Sequence, residues 1–156
     1  METCKCVGTI NKCLTVFCTL LLLVLAGVAC TEKVSYEELV KQKLAEIFPA
    51  PALNVYRCIV LVPNGGCTGC VQEAENFFLQ KQEEEDMLFV FTNFPSRKDL
   101  SIKLGKESLA RPNVWLDNEN RLYFPECAES VYPCAIFLKD GIIDCFANLD
   151  VLLAEE

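Results

Sequence analysis

A chain of 156 residues, 52% of them hydrophobic, can build one modest domain with a real core, and a net charge of −8 without a basic cluster argues against nucleic acid as a partner. Histidine is absent, which excludes Ser-His and Cys-His hydrolase arrangements and removes the imidazole on which most catalytic zinc sites draw. Eleven cysteines direct attention to thiol chemistry instead.

The run Leu14 to Ala29 is nearly uncharged, follows Lys5 and Lys12, and is too short and too close to the N-terminus to favour a spanning helix. Small residues, Ala26, Gly27 and Ala29, then lead into Cys30. Residues 1–29 therefore read as a signal peptide. The junction resembles the lipobox of bacterial lipoproteins, although Gly27 stands where that motif usually has Leu. That resemblance implies that Cys30 carries the lipid and that the protein is held on a bacterial membrane in the cell envelope, facing the periplasm or exterior. Removing residues 1–29 takes away Lys5, Lys12 and Glu2 and leaves a net charge of −9. Besides Cys30 it leaves Cys58, Cys67, Cys70, Cys127, Cys134 and Cys145, which export to an oxidising compartment allows to pair in ways the sequence does not fix.

Residues 30–51 read as a tether and an N-terminal helix. Ser35-Tyr36-Glu37-Glu38 has the form of a capping box, Tyr36, Leu39, Val40, Leu44, Ile47 and Phe48 recur at helical spacing, and Pro49-Ala50-Pro51 stops the run. Asn54 to Val62 is β-rich and apolar almost throughout, as a strand covered on both faces would be. Asn64-Gly65-Gly66-Cys67-Thr68-Gly69-Cys70 follows, and Val71, Ala74, Phe77 and Phe78 then mark the buried face of a helix. The acidic run Glu83 to Asp86 reads as a solvated turn. Met87 to Phe91 is a second buried strand, Ser96 to Leu109 a helix with Leu100, Ile102 and Leu104 apolar, and Asn113 to Asp117 a short strand carrying Trp115 as a core aromatic.

The end of the chain changes period. Val131-Tyr132-Pro133 precedes Cys134 to Leu138, a Lys139-Asp140-Gly141 turn and Ile142 to Phe146, which together read as a β-hairpin, and Asn148 to Glu156 closes as a helix. The order β-α-β-α-β followed by a hairpin predicts an α/β domain with a mixed sheet.

Cys67 and Cys70 stand where a strand gives way to a helix. Helix N-termini leave unpaired amides and the positive end of the dipole, which stabilise a thiolate there, so Cys67 is the candidate nucleophile and Cys70, one turn on, can close a disulfide back onto it. Two readings compete with a redox pair. One is a permanent structural bridge. The other is a thiolate site in which Cys134 joins the pair on a soft metal ion. Cys58 and Cys145 read as buried small hydrophobes within strands, Cys127 could pair locally with Cys134, and the arginines at 57, 97, 111 and 121 are scattered and mark no anion site.

A buried strand, a Cys-x-x-Cys opening a helix, a second strand with a crossover helix, and a proline directly before a glycine-turned hairpin resemble the thioredoxin-like superfamily over residues 52–156. The resemblance implies a three-layer sandwich with a central mixed sheet, disulfide exchange with protein thiols or disulfides through Cys67 and Cys70, and no cofactor or metal. It also implies a cis Pro133 beside the cysteine pair, with Tyr132 and Pro133 forming the substrate contact. The chain departs from the family at Thr68-Gly69, where Gly-Pro is common, at Gly66, which lacks the usual tryptophan, and at Leu61, where many members bury an acid.

Overall fold

A computed structural model of the chain describes residues 34–154. Residues 1–29, Cys30 and the start of the tether lie outside it. Of these, residues 35–154 fall in one compact unit.

The first helix, α1 (Tyr36–Ile47), starts where the Ser35 side chain accepts a hydrogen bond from the Glu38 amide at 3.3 Å, one half of the expected capping box. Its stripe buries Val40 and Leu44 fully, each worth about 2 kcal/mol of apolar transfer, and leaves Tyr36, Leu39, Ile47 and Phe48 half-buried. A single turn, α2 (Ala50–Leu53), leads into β1 (Cys58–Pro63), shorter at its start than the apolar run because Asn54 and Val55 form a turn. Next come α3 (Thr68–Lys81), β2 (Met87–Thr92), α4 (Arg97–Leu104), β3 (Val114–Leu116), β4 (Cys134–Lys139), β5 (Ile142–Asn148) and α5 (Asp150–Leu153).

The five strands form one open mixed sheet in the order β3-β2-β1-β4-β5. β1, β2 and β3 run parallel, while β4 and β5 are antiparallel additions. Every residue of β1 and β2 is buried, because alternate side chains feed two cores. Val60, Val62, Phe89 and Phe91 pack with Ala74, Phe77 and Phe78 of α3, Leu100 and Leu104 of α4 and Leu152 of α5. Ile59, Leu61, Leu88 and Val90 pack with Val40 and Leu44 of α1 and with Leu122, Phe124 and Cys127 from the loop after β3.

The structure departs from the sequence-based expectations in several places. The helix expected over Ser96 to Leu109 ends at Leu104, because Gly105 turns to φ 87°, and a separate short turn, Ser108–Ala110, follows. Ile102 is 72% exposed, since Leu100 and Leu104, four apart, take the inner face. Trp115 is half-buried: Phe48 meets it edge-on at 5.3 Å and Arg121 lies over its ring at 5.5 Å. The acidic turn and the arginines also meet. Arg57 bonds both Glu84 (2.8 Å) and Asp86 (2.7 Å), and Arg111 pairs with Glu83. The hairpin forms as expected, with Asp140 (φ 54°) and Gly141 (φ 73°) both left-handed, as a two-residue I′ turn requires.

Candidate functional site

Cys67 occupies the N-cap of α3, and its sulfur accepts a hydrogen bond from the Cys70 amide at 3.1 Å. A cap oxygen normally fills that role, so in the reduced protein the Cys67 thiolate sits where the helix presents its free amides. Cys67 and Cys70 are joined by a disulfide, with Cα atoms 5.4 Å apart. Cys67 is exposed and Cys70 half-buried, so an incoming thiolate reaches the first sulfur more readily than the second.

The loop that carries the pair is fixed from behind. Gly66 has φ 78°, and a Cβ there would lie 2.6 Å from the Val131 carbonyl oxygen, so the cysteine loop and the Val131-Tyr132-Pro133 segment touch backbone to backbone. Tyr132 and Pro133 then line a groove of about 320 Å³ with Cys70, Glu73, Asn148, Leu149 and Asp150. The geometry thus brings Cys67, Cys70, Tyr132 and Pro133 together. The Tyr132–Pro133 peptide is not cis, however, since no cis bond occurs among the described residues. Tyr132, extended at φ −101° and ψ 138° after the turn Ala128–Val131, leads into β4 through the trans isomer that is favoured before proline.

A polar network supports the loop from the next strands. The Asn64 amide donates to the Thr92 carbonyl at 3.0 Å, and the Thr92 hydroxyl and the Leu122 amide both donate to one oxygen of the buried Asp117 carboxylate at 2.8 Å. The Asn93 amide donates to the Asn120 side chain at 3.0 Å, and a Cβ on Gly65 would lie 3.2 Å from the Asn93 side-chain nitrogen. Removing this carboxylate orphans two buried donors. Asp117→Ala is therefore expected to cost about 3 kcal/mol in urea unfolding, and Asp117→Asn, which keeps one accepting oxygen, about 1 kcal/mol.

The remaining cysteines stay apart. Cys58, Cys127, Cys134 and Cys145 are free thiols, so the local pairing open to Cys127 and Cys134 is not formed. Cys134 does not join the pair either. Strand alternation turns it, with Ile136, toward α1 and away from α3, and among the described residues no group of three metal-ligating side chains could hold an ion. Cys134 packs beside the Tyr36 phenol, and burial pushes its thiol up to about 12. Burial likewise pushes Cys58 up to about 11 and raises the Tyr36 phenol. Cys145, expected inside, is exposed because β5 is an open edge strand.

The raised thiols hold their protons more tightly when folded. Their contribution to stability is complete below the free-thiol value of ~8.5 and is lost as pH rises through about 11 and about 12. The urea midpoint is accordingly expected to fall from pH 9 upward, and to fall less in Cys58→Ala. At pH 8 an alkylating reagent on the oxidised protein should label Cys145 first and the half-buried Cys134 more slowly, reaching Cys58 and Cys127 only as the protein unfolds, read by mass-spectrometric counting.

Glu73, Asn148 and Asp150 were missed as lining residues in the sequence. Glu73 carried a usable signal, standing one helical turn past Cys70, whereas Asn148 and Asp150 reach the groove through the hairpin's return. In comparison with known proteins, the chain matches no family model, no curated protein and no solved structure.

Proposed function

We propose that the protein is an envelope lipoprotein, anchored through Cys30, whose residues 52–156 form a thioredoxin-like domain that exchanges disulfides with protein partners. The observation that carries this reading is the Cys67–Cys70 disulfide at the start of α3, with its first sulfur exposed and its second half-buried. The strand order, with the pair following the central β1 and Tyr132-Pro133 beside it, supports the family assignment.

The exchange runs in two displacements. The Cys67 thiolate attacks one sulfur of a substrate disulfide, forming a mixed disulfide and releasing the other substrate sulfur as a thiolate. The Cys70 thiolate then attacks the Cys67 sulfur, closing the Cys67–Cys70 bond and releasing the second substrate thiolate. Two electrons pass from the pair to the substrate, and the reverse sequence oxidises a dithiol. Tyr132 and Pro133 form the wall against which the substrate chain lies. Among the described residues no helix is long and apolar enough to cross a membrane.

Equilibrating the detergent-purified protein against glutathione buffers, with thiols counted by mass spectrometry, tests the reading. A potential between roughly −120 and −270 mV supports exchange, and a value below about −300 mV makes the pair a structural bridge. Cys30→Ala should release the protein from the membrane fraction.

A further inference from the structure

Two grooves meet at Tyr132, Pro133 and Asn148. One holds Cys70, Glu73, Leu149 and Asp150, and the other, about 710 Å³, opens toward Tyr36 and Cys134 between the start of α1 and β5. Sharing these three residues, they adjoin as two parts of a trough that leads from Cys70 past Pro133 to α1. Its lining includes the apolar Tyr36, Pro133, Phe146 and Leu149, together with the carboxylates of Glu73 and Asp150 in the part that holds Cys70 and of Glu37 and Glu129 in the other part. Among the described residues no lysine or arginine lines either part. The chain's own Lys41 lies over the Phe146 ring, 5.8 Å from its centroid, a single cation against four carboxylates.

Resting on the exchange reading above, we propose that the trough selects its protein substrates by charge: the partner presents a cysteine flanked by lysine or arginine, with an apolar side chain on Pro133 and Phe146. The four carboxylates are exposed, so each contact is weak. Acting together around one trough, they raise the local concentration of a cationic segment and repel an anionic one, an effect on association rate that salt screens. The far pair extends the preference beyond the residues next to the reacting sulfur.

The test uses two synthetic peptides with the same central cysteine, blocked as a disulfide with 2-nitro-5-thiobenzoate. One is flanked by lysines and the other by glutamates. In reduced Cys145→Ser protein, which lacks the exposed free thiol, the Cys67 thiolate attacks the peptide sulfur, the coloured thiobenzoate leaves, and Cys70 then frees the peptide as its thiolate while the Cys67–Cys70 bond closes, so each protein molecule reacts once and visibly. The lysine peptide should react at least about tenfold faster at low salt, with the ratio closing toward one near 1 M salt. Neutralising Glu37, Glu73, Glu129 and Asp150 as Gln or Asn should collapse the ratio. Neutralising Glu85 and Glu107, at the opposite end of the parallel strands, should not. Equal rates, a faster glutamate peptide, or a ratio unchanged in the trough variant would each overturn the charge proposal while leaving exchange intact. No reaction with either peptide would remove the exchange reading and this proposal with it.

Discussion

Replacing Cys67 with serine is expected to lower disulfide exchange by at least about a thousandfold, the order seen when an enzyme loses its nucleophile. The reason is positional. Of the two sulfurs only Cys67 is exposed, and it caps α3, where the Cys70 amide already points at it. A serine there preserves the cap but supplies a hydroxyl that stays protonated at neutral pH. Cys70→Ser should behave differently. The first displacement survives and the second does not, so the variant is expected to accumulate a mixed disulfide on Cys67, visible as an added substrate mass that reductant removes. In the wild-type protein, Cys67 alkylation should follow a pKa below the free-thiol value of ~8.5 because of the helix terminus. Cys145 is the exposed free thiol that could mimic activity, so Cys145→Ser is the control and should change little. Exchange that persists in Cys67→Ser and disappears in Cys145→Ser would move the chemistry to β5 and sink the assignment.

How much of this was legible in the sequence follows from the range over which each signal acts. The Cys67–Cys70 pair at a strand-to-helix junction is local: apolar β1, two glycines and an apolar stripe at helical spacing suffice to place it. The sheet's two buried central strands were equally plain, because continuous apolar runs such as Met87 to Phe91 have few other destinations. Burial at an edge was not legible. Cys145 has the composition of an inner strand residue, and only the strand order, which leaves β5 with a single neighbour, exposes it. Ile102 failed for a related reason, since a short helix with Leu100 and Leu104 four apart has room for one inner row. The carboxylates along the two grooves come from α1, α3, the turn before β4 and the start of α5, so no window of sequence contains them. The proline's isomer depends on the backbone path around it, which a proline before a strand does not by itself specify in sequence.

Gly66 joins the loop to the rest of the site, and alanine there is expected to cost about 3 kcal/mol, a drop in Tm of order ten degrees. Two penalties add. A left-handed φ of 78° is costly for any residue with a Cβ, by about 1 kcal/mol. The Cβ itself would lie 2.6 Å from the Val131 carbonyl oxygen, which is backbone and cannot rotate aside. Relief requires the Val131-Tyr132-Pro133 segment to move away from the cysteines, so exchange should slow in Gly66→Ala well below its melting temperature. Gly69, in the first turn of α3, provides the contrast. Nothing lies within 4 Å of where its methyl group would sit, and helical alanine is preferred over glycine, so Gly69→Ala should gain up to about 1 kcal/mol. Gly66→Asn separates the two penalties, because asparagine tolerates positive φ yet brings the same Cβ. If it is as damaging as alanine, contact with Val131 dominates and the loop is held by its neighbour. Recovery of more than about 1 kcal/mol would assign the glycine to conformation alone, and the coupling between the cysteine loop and Tyr132-Pro133 would lose its structural basis.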